Sequence, residues 1–166
     1  MTRATTPILV AFGLLLGLTL LPAFAVPSTA AGANDSFDHA KKIKHLPYTT
    51  SANTADATSD SADPAATCGP DGLGHTVWYK LKRKKTTSIE ANTIGSDYDT
   101  VLAVYTRSGT GEVTEVTCDD DTIPTEFGES QVFFTAERKT TYYIVVAAYG
   151  EKFARQLALN VKTQIP

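Results

Sequence analysis

The stretch Thr-Val-Leu-Ala-Val-Tyr at residues 100–105 is apolar at five of its six positions. Successive side chains of a strand point to opposite faces of its sheet, so a strand of this composition has two apolar faces to bury. A strand that is apolar on both faces belongs inside a fold rather than at its surface. Residues 100–105 therefore predict an interior strand.

Segments on either side of residues 100–105 show the alternation of half-buried strands. In residues 75–81, Val77, Tyr79 and Leu81 alternate with polar or amphipathic neighbours, and residues 157–162 alternate in the same way. Further strands are predicted in residues 49–54 (an edge strand), 86–93, 112–118, 131–135 and 141–148. About eight short strands, with turn residues between them roughly every ten residues, indicate an all-β fold, an antiparallel β-sandwich.

One short helix is expected at the start of the domain. Asn34, Asp35 and Ser36 are good N-cap residues, and they stand ahead of Phe37, Ala40 and Ile43. Since these apolar residues are three positions apart, the spacing predicts one or two helical turns with Phe37 and Ala40 facing inward.

The first 25 residues have the layout of a cleavable secretory signal. Arg3 supplies a positive start, residues 8–21 are almost entirely apolar, and Ala23-Phe24-Ala25 matches a small-residue cleavage site. A membrane anchor is the alternative, but the run is shorter than the ~20 residues of a spanning helix. We expect cleavage after Ala25, a flexible linker over residues 26–33, and one domain over residues 34–166. The product would be secreted, or periplasmic in a bacterium with two membranes, and would not stay in the membrane.

The mature chain would be mildly acidic. Without Arg3, its 141 residues carry 14 basic and 18 acidic residues, a formal charge of −4. Such a chain has no general attraction for nucleic acid or anionic lipid, and one domain of this size needs no cofactor to fold. The basic run at residues 80–85 is typical of a solvated strand end, with anion binding as the alternative.

Cys68 and Cys118 are the two cysteines of the chain. In an exported protein two cysteines indicate one disulfide, and closing a loop of about 50 residues would stabilise the fold by roughly 4 kcal/mol. A catalytic thiol is the alternative, and it would require a nearby base and a reducing compartment. Cys68 lies in the last part of the longest irregular segment, residues 56–74, and loops of that length are commonly functional or mobile.

Five segments in order along the chain resemble the bacterial pre-peptidase C-terminal domain, a small β-sandwich often attached to secreted proteases. They are Asn-Asp-Ser-Phe-Asp-His-Ala at 34–40, His-Thr-Val-Trp-Tyr at 75–79, Gly-Ser-Asp-Tyr-Asp-Thr-Val-Leu-Ala-Val-Tyr at 95–105, Cys-Asp-Asp-Asp at 118–121 and Thr-Tyr-Tyr-Ile-Val-Val at 141–146. The resemblance covers about 130 residues. It implies a jelly-roll-like fold and a non-catalytic, accessory role.

Aspartates are concentrated in two predicted turns. Asp97 and Asp99 precede the interior strand, and Asp119, Asp120 and Asp121 follow Cys118. Adjacent carboxylates repel one another, so they are either fully hydrated or share a cation such as Ca²⁺, which takes six to eight oxygen ligands from flexible loops. Some members of the resembled family bind calcium. Solvated Asp-rich turns are the alternative, since such turns are common at protein surfaces.

Catalytic motifs are poorly represented. A glycosidase requires one carboxyl whose pKa is raised by apolar surroundings, and nothing in the sequence supplies such a site. His39, His45 and His75 lack metal-ligand spacing, and no Gly-x-Ser-x-Gly motif is present. We therefore predict that the protein is not an enzyme and requires no cofactor.

Aromatic side chains provide the remaining candidates for a binding site. A planar ring complements the apolar face of a sugar, and Trp78 and Tyr142 have the opposite strand parity to their apolar neighbours. These two residues could therefore face outward and bind a ligand, while core packing is the alternative for each. The sequence predicts a secreted module that binds an extracellular protein or polysaccharide, with a purely structural envelope protein as the alternative and a small hydrolase third.

Overall fold

The computed structural model describes residues 33–70, 73–121, 128–150 and 155–164. The predicted signal (1–25) and almost all of the predicted linker (26–33) lie outside these ranges. Within them, no helix has the length and hydropathy needed to cross a membrane. In chain order the strands are β1 Lys41–Ile43, β2 Tyr48–Asn53, β3 Gly74–Lys82, β4 Thr87–Asn92, β5 Thr100–Arg107, β6 Val113–Asp119, β7 Gln131–Ala136, β8 Thr141–Ala148 and β9 Gln156–Thr163.

The nine strands form two sheets that stack face to face. One sheet has five strands in the order β1-β3-β8-β5-β6, and the other has four in the order β2-β9-β4-β7. Every pairing is antiparallel except that of β1 with β3, which is parallel. The predicted all-β sandwich is confirmed, and β2 is an edge strand as expected.

The main core lies between the two sheets. It is built from the apolar face of each half-buried strand, and its fully buried members include Leu81, Ile89, Leu102, Ile144 and Leu157. Each such side chain contributes about 1.5–3 kcal/mol through burial. The period-2 alternation of the sequence therefore produces this core directly.

A second core covers the outer face of the five-stranded sheet. Val101, Ala103 and Tyr105 of β5 pack there beneath Phe37 and other residues from outside the sheet, among them Ala40 and Ala66. As a result β5 is buried on both faces from Thr100 to Tyr105. This confirms the prediction of an interior strand and explains why the strand is apolar on both of its faces.

The long segment between β2 and β3 makes much of this cover. The side chain of Asp63 accepts hydrogen bonds from Trp78 Nε1 at 2.8 Å and from the backbone N–H of Phe37 at 2.9 Å. The Tyr105 hydroxyl donates to the carbonyl oxygen of Ala65 at 2.9 Å. The predicted disulfide between Cys68 and Cys118 is present and links the segment to β6. The longest irregular segment is therefore fastened to the sheet at several points.

The predicted helix is shorter than expected. A single 3₁₀ turn spans Phe37–His39, and β1 begins two residues later. Phe37 and Ala40 are buried as predicted, but the Ser36 side chain makes no capping bond. Pairing of β1 with β3 gives the following residues a sheet partner, and this pairing competes successfully with a weak helical pattern.

Candidate functional site

Two of the five predicted aspartates, Asp99 and Asp121, come together beside Gly128. A Cβ atom placed on Gly128 would lie 2.7 Å from Asp121 Oδ1 and 2.8 Å from Asp99 Oδ1, so both carboxylates approach the glycine closely. Lost hydration and the carboxylates of Asp121 and Asp120 raise the pKa of Asp99 above its usual value. The pKa of Asp120 is raised for the same reasons, through lost hydration and then Asp121 and Asp119. We call Asp99, Asp120 and Asp121 the acidic cluster.

The other two aspartates are engaged by backbone groups. Asp97 Oδ1 accepts the N–H of Gln156 at 2.8 Å, and Asp119 Oδ2 accepts the N–H of Gln131 at 2.7 Å. These bonds join the two turns to β9 and β7. In the part of the chain that the structure describes, no three His, Cys, Asp or Glu side chains are grouped so that they could hold a metal ion.

A network of buried hydroxyl groups contacts the backbone of the acidic cluster. The hydroxyl oxygens of Thr93 and Thr100 lie 2.7 Å apart, and those of Thr100 and Ser130 lie 2.9 Å apart. Ser130 Oγ also lies 3.0 Å from the carbonyl oxygen of Asp120. Sequence reasoning missed this network because hydroxyl residues at strand ends look the same whether they are solvated or buried.

Trp78 and Tyr142 do not present free faces, and the expectation from strand parity was wrong in both cases. Trp78 is completely buried under the segment that carries Asp63. Tyr142 is only 5% exposed, and its hydroxyl donates to Thr135 O at 3.1 Å and accepts the N–H of Glu137 at 3.1 Å. Trp78 does lie on the outer face of its sheet, as its strand parity predicted. That face is covered by the second core rather than by solvent.

The outer face of the four-stranded sheet carries a hydrogen-bonded row of polar side chains. Thr49 Oγ1 donates to Asn160 Oδ1 at 3.2 Å, and Asn160 Nδ2 donates to Asn92 Oδ1 at 3.1 Å. Asn92 Nδ2 and Gln131 Nε2 both donate to Glu90 Oε1, at 3.1 and 2.9 Å. We call this surface the amide face. The row crosses all four strands, so these side chains are held in one arrangement.

Two further features complete the amide face. Phe133, which pairs with Glu90 across β4 and β7, is 49% exposed. A shallow groove of about 290 Å³ runs over β2, β9 and β4, and its polar lining includes Asn92, Asn160 and Lys162. Among the described residues, Phe133 is the one large aromatic side chain exposed on this sheet, so the surface has no aromatic row.

Similarity to known proteins is found at the level of structure. No protein-family model matches the chain, and no curated protein matches it in sequence. Among solved structures, the chain is similar to the pre-peptidase C-terminal domain of a collagenase from Bacillus anthracis. The two share 12% sequence identity, the match covers 75% of this chain and 94% of that one, and the TM-score is 0.45.

Proposed function

We propose that this chain is a secreted, non-catalytic accessory module that binds an extracellular polymer through the amide face. The observation that carries the proposal is the hydrogen-bonded row that runs from Thr49 through Asn160, Asn92 and Glu90 to Gln131. Asn92 is buried within the row, whereas Thr49 is exposed and Asn160 and Gln131 are half-buried. Partners are extracellular polysaccharide or protein, and a polysaccharide suits the chemistry of the amide face best.

Prior ordering of the amide side chains supports this function. A side chain that is already held in place loses little conformational entropy on binding, so more of its hydrogen-bond energy appears as affinity. Amide groups donate and accept hydrogen bonds, as sugar hydroxyls do. Phe133 adds an exposed apolar ring of the kind that packs on the apolar face of a sugar.

The character of the acidic cluster supports a non-catalytic role. A glycosidase holds its acid in an apolar pocket, which keeps that carboxyl protonated near neutral pH. Asp99 and Asp121 are both exposed. Their mutual repulsion accounts for part of the raised pKa of Asp99 without a catalytic role.

Binding to insoluble polymers tests the proposal. The purified mature chain is mixed with cellulose, chitin, bacterial cell wall and a collagen-like protein, and the bound fraction is measured. We expect Phe133→Ala to weaken binding to the preferred polymer about tenfold, the effect of losing roughly 1.4 kcal/mol of ring contact. Tyr149→Ala is the matched control, because Tyr149 is 43% exposed but lies after β8 in the other sheet.

The outcomes separate the alternatives. Loss of binding in Phe133→Ala but not in Tyr149→Ala, with both melting temperatures unchanged, would support the amide face as the binding surface. Equal binding by both variants would refute that location. Failure of the unmodified chain to bind any polymer would favour a structural envelope protein with no dedicated ligand.

A further inference from the structure

Six basic side chains line one groove at an end of the sandwich. Lys82, Arg83 and Lys84 come from the end of β3 and the residues just after it, and they belong to the basic run seen in the sequence. The others are Lys42 from β1 and the pair Arg138 and Lys139 from the β7–β8 turn. The groove has a volume of about 480 Å³. We call it the basic groove.

Backbone pairing holds these three chain segments together. β1 runs parallel to β3, with Lys42 opposite Lys80. Arg83 forms an isolated β-bridge with Arg138, and its carbonyl oxygen accepts the N–H of Lys139 at 3.0 Å. The cations therefore converge because the fold places their backbones side by side.

No carboxylate neutralises the basic groove within the described ranges. The ion pairs found there are Arg107 with Asp38 and Lys162 with Glu90, and neither includes a groove residue. The nearby carboxylate of Glu137 accepts a hydrogen bond from the Thr86 hydroxyl at 2.9 Å instead. In addition, the Nε–H group of Arg83 is enclosed and has no hydrogen-bond partner in the described structure.

Such a cluster carries an electrostatic cost unless an anion offsets it. Like charges at close range repel, and the low-dielectric wall of a groove strengthens their field. The mature chain has a formal charge of −4, so the positive charge of the six groove cations is a local feature opposite in sign to the net charge. An anion in the groove would relieve this repulsion and gain charge-assisted hydrogen bonds.

We propose that the basic groove binds the sulfate or phosphate ester groups of an extracellular anionic polysaccharide. The planar guanidinium groups of Arg83 and Arg138 match a tetrahedral oxyanion in bidentate geometry, and the lysines add point charges. The groove is large enough for more than a single ion, and the aliphatic stems of its side chains supply apolar lining. Among the described residues that line it, none is an aromatic on which the bases of single-stranded nucleic acid could stack. The inference goes beyond the proposed function, because it concerns residues that the amide face does not use.

Titration calorimetry with defined polymers tests the proposal. The mature chain is titrated with dextran sulfate, poly(glycerol phosphate), neutral dextran of equal length and duplex DNA, at low and at moderate salt. We expect binding to one or both of the first two polymers, little binding to neutral dextran, and weakening as salt rises because screening reduces charge attraction. The relative affinity of the first two polymers distinguishes sulfate from phosphate as the ester recognised.

Matched charge variants locate the site. Lys84→Gln with Arg138→Gln removes two exposed groove cations, and we expect affinity to fall about tenfold or more at low salt. The control, Arg107→Gln with Arg155→Gln, removes two exposed cations from outside the groove. The groove variant should melt no lower than the unmodified chain, since it has less internal repulsion.

Several results would overturn the proposal. Equal affinity for charged and neutral dextran would show that the groove does not recognise an oxyanion. An equal loss of affinity in both double variants would reflect net charge rather than the groove, and equal binding of DNA would remove the preference for a polysaccharide. Because the Phe133 test uses a different surface, the groove proposal and the proposed function can fail separately.

Discussion

At the scale of single residues, Asp63 is the side chain that joins the irregular cover to the sheet. Its two carboxylate oxygens accept hydrogen bonds from Phe37 N–H and Trp78 Nε1–H, and Thr76 Oγ1 lies 3.3 Å from Oδ2. No local sequence pattern distinguishes it from Asp56 or Asp60 in the same loop. Its role depends on strands that are distant in sequence.

Replacing Asp63 with asparagine should destabilise the fold by about 2 kcal/mol, because the new amide would turn a donor toward Trp78 Nε1–H or Phe37 N–H. Urea unfolding followed by the fluorescence of Trp78, the only tryptophan, measures the change. Asp56→Asn is the control, because Asp56 is exposed in the same segment. Equal unfolding midpoints for the two variants would contradict this role of Asp63.

Gly128 should not tolerate a side chain. Its φ of 65° is unfavourable for other residues, and an added Cβ would lie within 3 Å of the Asp99 and Asp121 carboxylates. We expect Gly128→Ala to cost roughly 2 kcal/mol or more in stability. Gly111→Ala, at φ 92° with no atom within 4 Å of the added Cβ, measures the backbone cost alone and should be milder. A milder effect at Gly128 would disprove the close approach.

Asp99→Asn should stabilise the protein at neutral pH. The pKa of Asp99 is raised in the folded state, so the folded form binds its proton more tightly than the unfolded chain does. The stability contributed by this proton is present below the unfolded pKa near 3.8 and is lost as pH rises through the higher folded value. The advantage of Asp99→Asn should therefore be present at pH 7 and disappear near pH 3, in urea unfolding at both pH values. An advantage that is independent of pH would contradict a raised pKa of Asp99 in the folded state.

Calcium binding by Asp97, Asp99, Asp119, Asp120 and Asp121 stays a prediction from sequence. If these carboxylates share Ca²⁺, millimolar Ca²⁺ should raise the melting temperature of the unmodified chain and have a smaller effect on Asp99→Asn. An unchanged melting temperature in both proteins would instead agree with solvated turns.

At the scale of elements, the Cys68–Cys118 bond connects the β2–β3 segment to β6. The bond spans 50 residues, and in the chain-entropy view its removal should cost roughly 4 kcal/mol. We expect the double variant Cys68→Ala, Cys118→Ala to unfold at lower urea concentration and to expose Trp78 to quenchers before the sandwich melts. The unmodified mature protein should show no alkylatable thiol, and two reactive cysteines would disprove the bond.

The strands were largely predictable, whereas the extent of the helix was not. β5 and β8 are rich in apolar and β-branched residues, and their side-chain period is a local property of the chain. The segment after Phe37 has a weaker pattern, and Lys41–Ile43 became a strand because β3 was available as a partner. The pairing of β1 with β3 therefore determined the secondary structure of the segment whose local sequence pattern is weakest.

At the scale of the whole molecule, the two sheets differ in what covers them. The five-stranded sheet has a core on each face, whereas the described residues leave the outer face of the four-stranded sheet uncovered. Charge is also unevenly distributed, with the acidic cluster and the basic groove made from different loops. This asymmetry provides the surfaces on which the proposed binding functions depend.

Export should leave a product that begins at Val26. Mass spectrometry of the mature protein would then find the mass of residues 26–166, reduced by two hydrogens for the disulfide. The physical reason is the small-residue site at Ala23-Phe24-Ala25 after an apolar run too short to stay in the bilayer. A product that retains residues 1–25 in a membrane fraction would contradict the expected secretion.

The sequence alone determined the sheet class, the interior position of residues 100–105 and the cysteine pairing, because alternation and residue counts are readable along the chain. Only the tertiary structure decided that Trp78 is covered, that Asp99 and Asp121 meet at Gly128, and that the basic run is joined by Lys42 and Arg138. Each of these depends on contacts between segments far apart in sequence. The exposure and charge environment of a side chain are set by those distant neighbours, so local pattern does not predict them.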